Sequence, residues 1–557
     1  MSRAAGSSLP QCTLGNYEQD FSDCHLLHGV VAKWAAEKPR RPAIIDHDRG
    51  RMVDWITFER TTMALAAGLA RLGFRQGDFL AASLPFLTEH IFLEYACFKI
   101  GVIHAPLDLR LRPAEVLRCL NLIRARGFAF LGRMPAADFR ELGRAVKQGC
   151  PSVEHLIQLS GPQETIEGAL PFEQLLGDAP AEDVPVTVRE EDAAQVIFTT
   201  GSTGSPKPAL LSHCNITCQN LCLGTAFGFG ENTRLLVNLP PSHVGGQAEA
   251  LMTTLFWGGT AVVVAVFDAA RSLQAVEQHR VNIIGQIPAM FNMEWRQPDY
   301  ASHDLSSLDI AIYGGQQVPR QFLAKLSQMA PRIGTGLGLT EAAGFCTYTP
   351  VDGTVDEVLA GIGRDMPLYP MTIRRPMQDD DLAGALLPDG EVGHICFRGP
   401  QTFLGYVNDP EATARTISRD GFLYTGDMGS LDEKGLHFAG RANWIIKPAG
   451  HQVFPGDVEN HFCALEDKVA SCAVLGVEHP LLSEAIVAFV EKRPGAELAV
   501  PELRRHAKGM ASYMRPLHYV LLEPGQMPLN RAAKSDYVRL REMAGEAAKK
   551  LGWQAGA

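Results

Sequence analysis

Apolar and polar positions along the chain follow two rhythms. Between about Leu26 and Leu159, Pro42-Ala43-Ile44-Ile45-Asp46 and Asp78-Phe79-Leu80-Ala81-Ala82-Ser83 read as strands, while Arg60 to Leu72 and Leu87 to Ile100 carry apolar residues at helical spacing. Strand followed by helix, repeated, predicts an α/β protein with largely parallel sheets. The rhythm resumes further on: Arg234 to Leu239 and Ala261 to Val266 read as strands, with a helix from Gln247 to Trp257 between them. The C-terminal part reads as a small α/β unit with strands near Cys472 to Val477 and Ala485 to Glu491. At 557 residues the chain is too long for one core, so two or more domains are expected.

Composition narrows the class. With 46% hydrophobic and 20% charged residues the chain has the make-up of an ordinary globular protein. A formal net charge of -11 argues against a nucleic-acid binder, which would show a basic face. It does not argue against ATP, because a local cluster of cations decides that. The start, Met1 to Ser8, lacks the apolar core of a signal peptide, and no run reaches the roughly 18 apolar residues of a membrane span. The end, Gln554-Ala555-Gly556-Ala557, is not a peroxisomal Ser-Lys-Leu, so a cytoplasmic protein is expected. The 12 scattered cysteines give no disulfide framework and fit a reducing compartment. Cys214, Cys218 and Cys222 share one helix face, but they lack the CxxC loop of common zinc sites, so packing is the expectation.

The stretch richest in chemistry is Phe198-Thr199-Thr200-Gly201-Ser202-Thr203-Gly204-Ser205-Pro206-Lys207-Pro208. Its hydroxyls, bendable backbone and single cation suit a polyphosphate, although a surface turn would use the same residues. A Walker P-loop needs Gly before the lysine and Ser or Thr after it; here prolines flank Lys207, and neither can donate an amide to phosphate. The stretch resembles instead the Ser/Thr/Gly-rich loop of the adenylate-forming superfamily, which holds acyl and aryl coenzyme A ligases, luciferases and peptide-synthetase adenylation domains. Pro208 alone departs from that loop, standing where relatives have glycine.

Further stretches follow in the family's order. Leu239-Pro240-Pro241-Ser242-His243 resembles the Leu-Pro-x-x-His segment leading into the helix beside the acyl pocket. Amino-acid-activating relatives place an aspartate just after it; from Val244 to Met252 the only acid is Glu249, so a plain carboxylic acid is expected. Tyr313-Gly314-Gly315-Gln316 resembles the Gly-Gly segment that lines acyl pocket and adenine site. Gly336-Leu337-Gly338-Leu339-Thr340-Glu341 resembles Tyr-Gly-x-Thr-Glu, with Leu337 in place of the tyrosine that stacks on adenine. Gly390 to Pro400, Gly405-Tyr406 and Tyr424-Thr425-Gly426-Asp427 continue the match. Arg441, Asn443 and Gly450 fall on the segment joining large and small domains, and Pro528 to Lys534 resembles the Pro-x-x-x-x-Gly-Lys motif with Ala533 for glycine.

The resemblance implies a large N-terminal domain over 1–440, of mostly parallel sheets flanked by helices, and a small mobile C-terminal α/β domain over 441–557, hinged near 441–443. It implies an AMP-forming acid:thiol ligase using ATP, Mg²⁺ and coenzyme A on a small carboxylic acid. Thr199, Thr200, Gly201, Ser202, Thr203, Gly204 and Lys207 would hold phosphates, with Gly314, Gly315, Gln316, Gly336, Leu337 and Gly338 around the nucleotide. Thr340 would bond the α-phosphate, Glu341 would hold Mg²⁺, Asp427 the ribose hydroxyls, and Arg441 the ribose or phosphate. His243 would flank the acid, Gly450 would line the pantetheine tunnel, and Lys534 would bridge carboxylate and phosphate. The glycines at 245, 246, 314 and 315 suggest space for an aryl or medium-length acyl group. Transfer to a carrier protein, oxidation of the adenylate, and a nucleotide binder that has lost turnover stay open beside the ligase; a carrier domain fused after Lys534 is not expected, and a homodimer is compatible with the chain.

Overall fold

The apolar runs become the inner strands of two mostly parallel sheets. In the computed structural model, which describes residues 9–134, 137–160, 164–177, 187–200, 206–529 and 535–553, contacts divide the chain into two units. The first takes in the chain up to Met371 with Asp379–Leu382 and Phe397–Leu423; the second comprises Thr372–Gln378, Ala383–Cys396 and the chain from Tyr424 onward.

One sheet of the first unit runs, in spatial order, Arg332–Gly334, Ile310–Tyr313, Ile283–Gln286, Arg234–Val237, Thr260–Val263, Pro42–Asp46 and Arg51–Asp54. All neighbours are parallel except the last pair. The other runs Gly405–Tyr406, Pro206–Ser212, Ala193–Thr200, Ile103–Pro106, Phe79–Ser83, Gly127–Leu131, His155–Leu159 and Ala169–Pro171. Its first two pairs are antiparallel and the rest parallel. Strands covered on both faces read as continuous apolar runs, and Leu235, Leu236, Val237, Ala261, Val262 and Val263 are all buried.

Local chemistry sets the element ends. The helix expected from Arg60 begins at Trp55, because the Asp54 carboxylate accepts from the Thr57 amide at 2.9 Å and caps the first turn. Ser212 ends one strand and caps the helix His213–Phe227 through a reciprocal bond pair with Asn215, and Gly228 at φ 67° closes that helix. The single helix expected over Gln247 to Trp257 is instead a π-helical stretch, Gly245–Met252, running into a short α-helix, Thr253–Phe256. Its wide turn shows in the Glu249 amide, which donates to the Val244 carbonyl five residues back at 3.0 Å. No helix among the described residues is long and apolar enough to cross a membrane.

In the second unit, the strand Leu423–Asp432, from Tyr424 onward, forms an antiparallel pair with Gly435–Arg441. Further along, Val469–His479, Ser483–Lys492 and His518–Leu522 make a three-stranded sheet. The middle strand alternates its cores: Ile486, Ala488 and Val490 pack with Val458 and Phe462, while Val487 and Phe489 pack with Leu540 and Ala544.

Two buried amide–carboxyl pairs tie strands of the first unit to their covering helices. The Gln195 amide donates to Glu94 at 2.7 Å, and the Gln286 amide donates to Glu294 at 2.7 Å. Burial pushes both carboxyls up to about 8. Beside Glu94, His104 Nδ1 lies 3.0 Å from the same oxygen, and burial takes that imidazole down to about 3. Between roughly pH 4.3, the unfolded glutamate value, and about pH 8, the folded chain keeps a proton on Glu94 that the unfolded chain releases. Stability contributed by this group therefore falls as pH rises through that window. Comparing melting temperatures from pH 5 to 8, Glu94→Gln should lose less stability with rising pH than the native protein; parallel curves would refute a protonated Glu94.

Candidate active site

The described ends of the Ser/Thr/Gly stretch lie on two antiparallel strands, Ala193–Thr200 and Pro206–Ser212. Thr199 pairs directly with Lys207, and Thr200 with Pro206. Pro208 occupies a ladder position that uses only its carbonyl, which accepts from the Val407 amide at 2.9 Å. The second of these strands also pairs with Gly405–Tyr406, in register Ala209 to Tyr406. That register seats the Tyr406 ring 5.2 Å from Lys207 Nζ, a cation–π distance. On its other side the Tyr406 hydroxyl donates to Glu341 Oε1 at 2.5 Å. Lys207 and Glu341, expected on phosphate and metal, are thus joined through one aromatic side chain.

The segment carrying Tyr406 is itself anchored. Asn215 Nδ2 donates to the Pro400 and Thr402 carbonyls at 2.7 and 2.8 Å. Gln401 Nε2 donates to the Ala342 and Phe345 carbonyls at 2.7 Å each, and the Phe403 amide donates to the Glu341 carbonyl at 3.0 Å. The helix-capping asparagine and the Thr-Glu turn are therefore held to the same loop.

Two of the motifs, the Gly-Gly segment and the Thr-Glu segment, meet at Phe345. A Cβ on Gly314 would lie 3.1 Å from its Cζ, and one on Gly338 3.2 Å from its amide nitrogen. A Cβ on Gly336 would fall 1.8 Å from the Thr347 carbonyl oxygen, so no larger residue fits without moving backbone. Gly338–Leu339 pairs antiparallel with Gly344–Phe345, which places Leu339 opposite Gly344, immediately before Thr340 and Glu341. Leu337 is pinned by its amide to Thr347 Oγ1 at 2.8 Å and retains only 9% exposure. Gly315 holds φ 91°, and Gln316 is exposed.

His243 is exposed, and its Nδ1 accepts from the Gly245 amide at 3.0 Å. Gly245 and Gly246 do not leave the space expected of them. A Cβ on Gly246 would lie 2.4 Å from the Pro240 carbonyl oxygen; one on Gly245 would lie 3.1 Å from His243 Nδ1 and 3.4 Å from Glu249 Oε2. These glycines permit close backbone packing, and the size argument built on them falls. Glu249 comes to the same junction, its side chain against Gly344 and bonded by the Phe345 amide.

In the second unit Asp427 and Arg441 are cross-strand partners, with Arg441 Nε 2.8 Å from Asp427 Oδ1. Asp427 is buried and its amide is held by Thr425 Oγ1 at 3.1 Å, while Arg441 is exposed. Gly450, at φ 84°, lies in an exposed turn fixed by the Ala449 amide on the Leu482 carbonyl at 2.7 Å. Next to Asn443, Trp444 packs against Tyr537 with ring centroids 4.0 Å apart and planes tilted by 35°. Gly201, Ser202, Thr203, Gly204 and Lys534 lie outside the described residues, as do the side chains of Thr200 and Asn443. Leu529 and Ser535, either side of the Lys534 segment, pair with each other.

Sequence reasoning did not single out Phe345, Gly344, Gln401 or the linking role of Tyr406. Tyr406 had a usable signal in the Gly-Tyr match. Phe345 had none, since one aromatic after a glycine reads as any core residue. The donor set fits a magnesium nucleotide: a hydrogen-bonded carboxylate at Glu341 supplies hard oxygen, Lys207 supplies positive charge, and Thr340 adjoins them.

Comparison with known proteins identifies the family. The AMP-binding enzyme model matches residues 31–407, and the AMP-binding enzyme C-terminal domain model matches 457–534. A feruloyl-CoA synthase of an Amycolatopsis species is 30% identical over 82% of this chain and 86% of its own length. A mitochondrial medium-chain acyl-CoA ligase of Macaca fascicularis is 25% identical over 95% of this chain and 89% of its own. The crystal structure of ATP-bound MatB from Rhodopseudomonas palustris superposes with a TM-score of 0.81 at 23% identity, over 93% of this chain and 99% of that one, which is agreement of fold. The chain belongs to the AMP-binding enzyme family and is an adenylate-forming enzyme of the acyl-CoA ligase type.

Proposed function

We propose that the protein joins a carboxylic acid to coenzyme A through an acyl-adenylate, an aryl or medium-length acid being supported by its likeness to a feruloyl-CoA synthase and a medium-chain acyl-CoA ligase. The observation that carries this reading is the line from Lys207 through Tyr406 to Glu341, beside Thr340 and the Phe345 junction. A carboxylate oxygen of the acid attacks the α-phosphorus of ATP, and the bond to pyrophosphate breaks. The thiol then attacks the acyl carbon, AMP leaves, and the thiol proton passes to solvent. Both steps bring anions or electron-rich groups together, so the chain's task is positioning and charge compensation.

In this reading Lys207 and the residues from Thr199 to Gly204 hold the pyrophosphate portion, Thr340 the α-phosphate, and Lys534 bridges acid and phosphate oxygens. Asp427 accepts from the ribose hydroxyls with Arg441 beside it. Glu341, oriented by Tyr406, would hold Mg²⁺, which when bound screens the phosphate charge. The piece from residue 441 turns about Asn443 between the two steps, withdrawing Lys534 and presenting the Gly450 turn to the thiol. The two named coenzyme A ligases among the relatives support coenzyme A as acceptor.

Acid-dependent exchange of labelled pyrophosphate into ATP, followed by a thioester on adding coenzyme A, is the direct test; exchange without thioester would move the acceptor to a carrier protein. Lys534→Ala should lower exchange about 100- to 1,000-fold, while thioester formation from a supplied acyl-adenylate continues. Unchanged exchange would remove Lys534 from the first step. Glu341→Gln, which keeps size and loses charge, should raise the Mg²⁺ concentration for half-maximal exchange by about tenfold. A magnesium titration that overlays the native one would count against Glu341 as ligand.

A further inference from the structure

Resting on the adenylate-forming reading, the position of Glu249 points to a property of the acid. Glu249 lies on the wide π-helical turn, whose five-residue hydrogen bond from its own amide rotates it away from an ordinary helical face. Its carboxyl group sits between Gly245, just after the histidine segment, and Gly344, on the strand opposite Leu339. Oε1 and Cγ are each 2.7 Å from where a Cβ on Gly344 would be, and Oε2 is 3.4 Å from where a Cβ on Gly245 would be. Gly344 holds φ 133°, outside the range that side chains favour, and faces Leu339, the residue before the Thr-Glu pair. The carboxyl is therefore one strand pairing from the residues assigned to the reacting phosphate, and next to His243.

The Phe345 amide bonds the carboxyl, and burial still pushes it up to about 7. Gln219, wholly buried, brings Nε2 to 3.1 Å from the same Gly344 position, and that nitrogen has no partner among the described residues. Glu249 itself is only half-buried, so this polar corner opens on one side. A carboxyl facing an aliphatic or bare aromatic tail would be desolvated without compensation, whereas a tail carrying a donor would satisfy it.

We infer that Glu249 is a specificity-determining residue that accepts a hydrogen bond from a hydroxyl or amino group on the acid, so that the enzyme selects acids bearing such a donor over isosteres that lack it. A site built around a substrate hydrogen bond rejects the analogue without it far more strongly than an apolar pocket can.

The test uses full-length enzyme and matched pairs in the pyrophosphate exchange assay: 4-hydroxycinnamic and 4-aminocinnamic acids against 4-methylcinnamic acid, and 8-hydroxyoctanoic against nonanoic acid. For the native enzyme, kcat/KM should favour a donor-bearing member by about 100-fold or more; whether the hydroxyl or amino acid leads identifies the donor. Glu249→Leu should collapse or reverse that ratio, and Glu249→Gln, which keeps an acceptor oxygen, should retain part of it. A native enzyme preferring the methyl isosteres, or a Glu249→Leu enzyme with the native ratio, would overturn the inference. Should Glu249→Leu fail to fold, a Glu249→Gln ratio identical to native across pH 6 to 8 does the same. Calorimetric binding of the acids without ATP separates this inference from the ligase reading. Donor-selective binding lost in Glu249→Leu sustains it even if no acid supports exchange, and binding indifferent to the donor sinks it whatever exchange shows.

Discussion

Close approach of backbone to backbone is the constraint on which the candidate site depends. Gly336 runs so near the Thr347 carbonyl that a Cβ would overlap it at 1.8 Å, and Gly344 lies against the Glu249 side chain. Around that contact the Gly-Gly segment, the Thr-Glu turn and the histidine segment come within reach of Phe345 and its neighbours. Glycine is required at these points because the chain must pass where side chains would stand. Segments distant in sequence thereby acquire fixed mutual positions, which side-chain contacts across a roomier junction would hold less firmly.

Charge is then arranged on that frame. Lys207 and Glu341 are brought to one place without a direct ion pair recorded between them, Tyr406 standing between as a ring for the cation and a hydroxyl for the carboxylate. A direct Lys–Glu bridge would satisfy both groups and leave less for a ligand. The aromatic intermediary orients each while committing neither, since a cation–π contact and one hydroxyl bond are weaker than a full ion pair. Asp427 and Arg441 follow the other pattern, paired directly across a β-ladder.

Much of the fold was legible because parallel strands buried on both faces must be apolar throughout, and Pro42–Asp46 and Phe79–Ser83 appear almost as read. The helix start at Trp55 was missed because one capping aspartate outweighed the later apolar spacing. The π-helical turn could not be read, since its extra residue per turn disturbs the very periodicity used to find helices. The motifs named most of the candidate site, but not what joins it. Tyr406 acquires its role from the register between Pro206–Ser212 and Gly405–Tyr406, a pairing of strands nearly two hundred positions apart that local pattern does not encode. Gly245 and Gly246 were misjudged for the same reason: a missing side chain means open space or close packing according to what lies opposite, and here that is the Pro240 carbonyl and Glu249.

What separates structural from functional carboxyls in this chain is access more than acidity. Glu94 and Glu294 are held near 8 by burial, yet each is sealed in a sheet–helix layer with a glutamine amide as partner, so the shift records packing alone. Glu249 is raised less, to about 7, but it is only partly buried and lies between the histidine segment and the strand facing the Thr-Glu turn. A perturbed carboxyl therefore marks a site only when a ligand can reach it. By that criterion the wide turn matters to the chemistry: it carries the Glu249 carboxyl into close contact with Gly245 and Gly344.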